Sequence, residues 1–332
     1  MPVPERPVLV APDSFKGTFR ASEVAGAIGR GLERAGLMPP DLCPVADGGE
    51  GTLDALLPQL GGELDAREVS GPLGAPVMAG YGLVEGGGTA IVEMAAASGL
   101  GLVPEAERDA WAASTRGTGE LIAAAIDAGA QVILVAVGGS ATTDGGTGAV
   151  EAIEAGGGLR GAKIVVLCDV RTPFEDAARV FGPQKGADPE LVERLTERLH
   201  EQAKAYPRDP RGVPMTGAAG GLSGGLWAAC GATLEPGAPW VLDVLDFDAR
   251  MRASHAVVTG EGKLDQQTLE GKLVGEIGTR ARQAGVPLHA IVGTDALDPF
   301  GKRIIDLQRV IEATTLAELE VAGEALGAEL AP

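Results

Sequence analysis

At 332 residues, 45% of them apolar but only 3% aromatic, the chain exceeds one ordinary domain and must build its core from Ala, Val, Leu and Ile, which suits packed α/β layers with buried parallel strands. Its 27 Lys and Arg against 46 Asp and Glu leave a net charge of −19, which repels a phosphate backbone and argues against a nucleic-acid partner. Cys43, Cys168 and Cys230 are odd in number and lack C-x-x-C spacing, so neither a disulfide framework nor a zinc site is indicated, and they read as core residues of a reducing compartment.

The start, Met1-Pro-Val-Pro-Glu-Arg-Pro7, has no basic segment followed by a long apolar run, and the strand-like stretch after it is too short to span a bilayer. A cytoplasmic protein with no membrane partner is the expectation. Val8 to Ala11 reads as a buried strand, followed by the loop Pro12–Gly17 and a helix with Ser22 as its N-cap, Val24, Ile28 and Leu32 as its stripe and Gly36 as its stop. A second βα unit takes Leu42 to Ala46 as strand, Asp47–Gly51 as loop and Leu53, Leu56, Leu57 and Leu60 as helix. Two βα units in succession imply a parallel sheet.

Further on, Thr89–Met94, Gln131–Val137 and Lys163–Cys168 read as strands, and Asp188-Pro189 opens a helix that runs to about Ala205. The first pattern returns near the end, with strands at His255–Thr259, Leu288–Val292 and Arg309–Ala313, a helix at Lys272–Ala284, and a last helix opened by a capping box, Thr315-x-x-Glu318. Adding the two ends gives five strands alternating with helices, the count of a flavodoxin-like, doubly wound domain. The middle of the chain then reads as a second α/β domain, inserted or consecutive. If it is inserted, as the resemblance given below implies, the division expected is 1–69 and 251–332 for the first domain and 70–250 for the second.

The 51 glycines are about twice ordinary usage and cluster directly after apolar runs. Asp-Gly-Gly-x-Gly occurs at Asp47–Gly51 and again at Asp144–Gly148, each between a strand and a helical stretch, where glycines let backbone N–H groups converge on an anion and an adjacent carboxylate can hold Mg²⁺. Gly-rich turns of this kind are also ordinary in α/β proteins. The loop Gly138–Gly146 adds the hydroxyls of Ser140, Thr142 and Thr143, more than a helix cap needs. Thr259-Gly-Glu-Gly-Lys-Leu-Asp265 sets Glu261, Lys263 and Asp265 just past a strand end, the edge where open α/β sheets bind ligands. No G-x-x-x-x-G-K-[ST] sequence exists in the chain and no G-x-G-x-x-G follows the first strand, which excludes a P-loop NTPase and argues against a dinucleotide-binding domain. His200, His255 and His289 have neither metal nor triad spacing.

Taken together, these residues resemble the bacterial glycerate kinase family. The resemblance runs over nearly the whole chain, in order, through Ala11–Gly17, Ala46–Thr52, Glu93–Gly99, Ser114–Glu120, Gly138–Thr142, Phe181–Gly186, Gly217–Gly221 and Thr259–Lys263. It implies a flavodoxin-like domain interrupted by a second α/β domain, with ATP and glycerate in the cleft between them, Mg²⁺ as companion ion and 2-phosphoglycerate as product. Alternatives are a 3-phosphate product, another small hydroxy acid as acceptor, and a nucleotide-binding regulator without turnover. The chain reads as shorter than members of that family at Glu154–Ala162, by some tens of residues, and between Cys168-Asp169 and Phe181.

Phosphoryl transfer needs positioning and charge neutralisation more than covalent chemistry, and the resemblance then suggests roles. Lys16 and Lys185 would neutralise phosphate oxygens, Asp47 or Asp169 would accept the hydroxyl proton, and Asp144 or Asp265 would help hold Mg²⁺. Asp13, Ser14, Glu261, Lys263 and Arg116 would bind substrate, the last gripping the carboxylate with two parallel bonds. Gly48, Gly49, Gly138, Gly139, Ser140, Thr142 and Gly145 would bind ATP. The partners expected are therefore glycerate and ATP, with monomer and homodimer both open.

Overall fold

The computed structural model describes residues 6–15, 17–270 and 272–331. In chain order its strands are β1 (Val8–Pro12), β2 (Asp41–Leu42), β3 (Glu63–Ser70), β4 (Pro76–Val84), β5 (Thr89–Glu93), β6 (Val132–Ala136) and β7 (Lys163–Cys168). They continue as β8 (Thr233–Pro236), β9 (Ala256–Gly260), β10 (Lys263–Leu264), β11 (Leu288–Val292), β12 (Thr294–Asp295) and β13 (Leu307–Glu312). The chain divides into two compact units, the first made of Met1–Asp47, Asp54–Leu56 and Ala238–Pro332, the second of Gly48–Leu53 and Leu57–Gly237.

The first unit is built on β1, whose five residues are all buried, as a strand covered on both faces must be. Its sheet runs β2-β1-β9-β11-β13 with every neighbour parallel. Counted within the unit this is the order 2-1-3-4-5, the doubly wound flavodoxin-like arrangement, whose order reverses between β1 and β9. On one face Val8, Val10, Val24, Ile28, Leu32, Leu319 and Leu326 form a core; Val274, Ala290, Val292, Leu297 and Ile305 cluster separately. Helices Ala21–Arg34 and Leu316–Leu330 approach so closely that a Cβ on Gly31 would lie 2.1 Å from the Glu320 carbonyl oxygen, so only glycine fits there.

Two local expectations change. Ser22 is not the N-cap: the helix begins at Ala21, the Glu23 carboxylate accepts the Arg20 N–H at 2.9 Å, and the Ser22 hydroxyl donates to Asp54 instead. The strand expected over Leu42–Ala46 is cut to β2, because Pro44 has no N–H to give; Cys43 and Val45 still donate to the Val10 and Pro12 carbonyls at 2.8 and 3.0 Å. The local reading holds at β7 and β11, which have the expected bounds, and at the last helix, which Thr315 caps by accepting the Glu318 N–H.

The second unit has a six-stranded sheet, β3-β4-β5-β6-β7-β8. The strands from β5 to β8 are parallel, and β3 and β4 add an antiparallel hairpin at one edge. Val92, Leu121, Ile122, Ile133, Val135, Val166, Leu222 and Leu226 fill its core. Helix Pro189–Ala205 starts where two local signals coincide: Asp188 accepts the Leu191 N–H at 2.8 Å, and Pro189 occupies the first turn, where a missing N–H costs nothing. Burial pushes the Cys43 and Cys168 thiols up to about 12 and Cys230 to about 11, which makes them packing residues. Among the described residues no helix is long and apolar enough to cross a membrane.

Candidate active site

The order reversal between β1 and β9 opens a crevice at the carboxyl ends of the strands, and the first residues past those ends are Asp13 and Glu261. A cavity of about 480 Å³ lies there, lined among others by Asp13, Ser14, Asp47, Glu261, Lys263 and Asp265. Asp13 and Asp47 are each only 6% exposed. Asp13 is fixed by its backbone, whose N–H donates to the Gly260 carbonyl at 2.8 Å, while its carboxylate accepts the Ser14 N–H. Glu261 accepts the Thr268 hydroxyl at 2.7 Å. Lys263 donates to Asp265 at 3.1 Å but is 62% exposed, so the pair itself adds little stability. Burial pushes the Asp265 carboxyl up, yet its bonds to Lys263 and the Gln267 amide and the charges of Lys263 and Lys272 outweigh this and leave it below the usual carboxylate range. All six cavity residues named here were expected to bind substrate or ion or to take the proton.

At the carboxyl edge of the second sheet stands the loop that follows β6. Ala141 N–H donates to the Ser98 carbonyl and Leu100 N–H to the Gly139 carbonyl, at 3.0 and 2.7 Å. The two glycine-rich loops meet here: a Cβ on Gly138 would fall 2.9 Å from Gly49 Cα, and one on Gly48, at φ +88°, would fall 2.6 Å from Gly237 Cα. Backbone is therefore packed on backbone, which no other residue type permits. Glu93, at the end of β5, accepts the Gly51 and Leu53 N–H groups at 3.0 and 2.7 Å and so shapes the first loop. Glu93 belongs to the motif Glu93–Gly99 but was not among the expected site residues; a carboxylate at a strand end, just before the short helix Ala95–Ser98, was the available signal.

Asp144 engages both carboxylate oxygens within the protein. Oδ2 accepts the Thr115 N–H and hydroxyl at 2.8 and 2.9 Å, and Oδ1 accepts the Gly146 N–H at 3.2 Å. Lys185 is 1% exposed and donates to the Thr142 carbonyl. Burial pushes its amine down to about 7, against the upward pull of the Asp144 charge. Ser140 and Thr142 are buried, with Gly145 in the left-handed region at φ +64°. Asp169 follows β7 and is half-buried. Arg116 opens helix Arg116–Asp127, with its side chain half exposed and paired to Glu120 at 3.0 Å. Lys16 lies outside the described residues. The structure thus gathers the expected residues into two groups, the cavity of the first unit and the loop edge of the second.

The glycerate kinase family profile matches residues 8–158 and 154–318. The chain is 40% identical to a glycerate kinase of Bacillus subtilis, with 88% of this chain and 86% of that protein covered. It is 39% identical to a glycerate 2-kinase of Escherichia coli, with 86% and 85% covered. A crystal structure assigned to glycerate kinase 2 of Salmonella typhimurium superposes with a TM-score of 0.83 at 35% identity, covering 98% of both chains. A two-part profile over most of the chain, curated relatives near 40% identity and a shared fold agree: the chain belongs to the glycerate kinase family.

Proposed function

We propose that this chain transfers the γ-phosphoryl group of ATP to the 2-hydroxyl of D-glycerate, giving 2-phosphoglycerate and ADP. The observation that carries the reading is the acid-lined cavity at the strand-order reversal of a glycerate kinase fold, with a glycine-rich loop edge of the other unit beside it in sequence. Asp47 is the better candidate base of the two acids considered, since it is buried and lines the cavity, whereas Asp169 belongs to the second unit. Asp13, Ser14 and Glu261 offer acceptors and a donor for the glycerate hydroxyls, and Lys263 and Arg116 offer cations for its carboxylate. Gly48, Gly49, Gly138, Gly139, Ser140, Thr142 and Gly145 surround the phosphates with amides and hydroxyls. Lys185 and, from its sequence position, Lys16 offset phosphate charge.

Among the described residues no group of three or more His, Cys, Asp or Glu could hold a metal ion. Mg²⁺ does not require one, because it is ordinarily held by one or two carboxylates, waters and substrate phosphates, and the donors present fit that need. Asp265 suits the ion better than Asp144, because it lines the cavity and its Oδ2 is held, among the described residues, only by the exposed Lys263, whereas Asp144 is buried and its Oδ2 is held by the Thr115 N–H and hydroxyl. When bound, the ion would neutralise charge on the transferring phosphoryl group. We further propose the cytoplasm as the site of action and two functional domains on the expected plan of 1–69 plus 251–332 and 70–250, with the boundaries moved to those of the compact units so that β3 goes with the sheet it pairs in.

The test is ADP release from Mg-ATP with and without D-glycerate. ADP formed only when both are present supports the reading. Turnover with a different hydroxy acid in preference to glycerate would change the acceptor, and nucleotide binding without any turnover would leave a regulator.

A further inference from the structure

Four consecutive carbonyls of the glycine-rich loop each accept a hydrogen bond from a different side chain of one short segment. Lys185 Nζ donates to the Thr142 carbonyl, Arg198 Nη2 to Thr143 at 3.2 Å, Gln202 Nε2 to Asp144 at 2.9 Å, and the Tyr206 hydroxyl to Gly145 at 2.9 Å. Arg198, Gln202 and Tyr206 are spaced i, i+4, i+8 and so form one face of helix Pro189–Ala205 and its cap.

This row is held firmly at its own back. Arg198 donates again to the Trp111 carbonyl at 2.8 Å and lies over the Trp111 ring at 4.8 Å. Gln202 also donates to the Thr147 hydroxyl at 2.9 Å. Tyr206 packs edge-on against Phe174. The loop fits the row closely, since a Cβ on Gly145 would come within 2.6 Å of Gln202 Oε1.

A trans peptide points its N–H opposite to its C=O. Turning the carbonyls of 142 to 145 toward the helix therefore turns the amides of 143 to 146 away from it. Gly145 N–H donates to the Gly220 carbonyl at 3.1 Å and Gly146 N–H to Asp144 Oδ1 at 3.2 Å. By the same planarity the Thr143 and Asp144 amides turn away from the helix, as a pair of adjacent donors suited to an anion.

We infer that Lys185, Arg198, Gln202 and Tyr206 are positioning residues: by holding the four carbonyls they aim the loop amides at the phosphates of the nucleotide. This rests on the proposed reading that the loop holds ATP. Arg198, Gln202 and Tyr206 need not touch the ligand, Lys185 adds this role to the phosphate charge it offsets, and the effect of all four falls on the nucleotide and not on the acceptor.

The test uses the full chain carrying Gln202→Met, Tyr206→Phe, or both. These changes remove a donor while keeping the stem of one side chain and the ring of the other. Calorimetry with Mg-ADP should show Kd raised about fivefold by each and about 25-fold by both, the scale of one ordinary hydrogen bond per site. The KM for ATP should rise in step, while the KM for glycerate stays within about twofold and the thermal midpoint moves by only a few degrees. An unchanged Kd in the folded variants, equal changes in both KM values, or no nucleotide binding by the wild type would each overturn the inference. Should the double variant fail to fold, Tyr206→Phe alone decides. If the wild type binds Mg-ADP but never phosphorylates glycerate, the proposed reaction fails while the calorimetric comparison still judges the loop.

Discussion

The two sheets end in opposite kinds of surface. At the edge of the first, the chain presents side chains: Asp13, Ser14, Asp47, Glu261, Lys263 and Asp265 all line one cavity. At the edge of the second, Ser140, Thr142, Thr143 and Asp144 are buried, and glycines pack backbone against backbone. A side-chain site is damaged by removing atoms. A backbone site has little to remove and is damaged by adding them.

The largest effect expected follows from subtraction. Asp47→Asn keeps the shape and removes the basic oxygen, so kcat should fall about a thousandfold, about 4 kcal/mol in the barrier, with the KM for ATP within about threefold. Steady-state kinetics on protein of unchanged thermal midpoint checks this, and near-normal kcat would move the base to Asp169.

Addition should come next. In Gly145→Ala the backbone must hold φ +64° with a methyl that would lie 2.6 Å from Gln202 Oε1 and 3.0 Å from Phe174 Cζ. A loss of about 1–3 kcal/mol in stability is expected from such strain, together with weaker Mg-ADP binding. Denaturant unfolding and calorimetry on one preparation test both, and an unaltered Kd would show that the loop does not meet the nucleotide.

A subtler contrast comes from Lys185, whose amine titrates near 7 when folded against an ordinary value of 10.5, because burial disfavours its charge. The unfolded chain then binds more protons between these values, so this group makes stability rise with pH from about 7 to about 10.5, with a constant penalty below that window. The thermal midpoint of the wild type, taken relative to Lys185→Met, should therefore climb between pH 7 and pH 10. A difference that is flat with pH would mean that the amine is not desolvated. The smallest effect belongs to Lys263→Met: its exposed pair with Asp265 should leave stability within about 0.5 kcal/mol, and any kinetic change should appear in the KM for glycerate.

The same contrast explains what the sequence could and could not reveal. Strands such as Val8–Pro12 and Leu288–Val292 are largely apolar and buried on both faces, and Asp188-Pro189 marks a helix start by two chemical signals at once, so both were legible. The β3–β4 hairpin was not, because β3 is an edge strand whose charged residues, Glu63, Asp65, Arg67 and Glu68, carry no clear alternation. The acids of the cavity could be found because they follow strands directly. The face Arg198–Gln202–Tyr206 could not, since its partners are main-chain carbonyls 55 or more residues away, and a carbonyl leaves no trace in residue type. The stretch read as shortened, Glu154–Ala162, closes as a tight turn with Gly157, Gly158, Arg160 and Gly161 all at positive φ, and the two parts of the family match meet there, at residues 154–158.

The most direct test of the central claim is the phosphorus NMR spectrum of the product formed from Mg-ATP and D-glycerate. Phosphate on C2 has one proton on the carbon bearing its oxygen, so the new phosphomonoester signal should be a doublet, appearing as ATP is converted to ADP. A triplet, the mark of phosphate on the CH₂ at C3, or no new phosphomonoester at all, would contradict it.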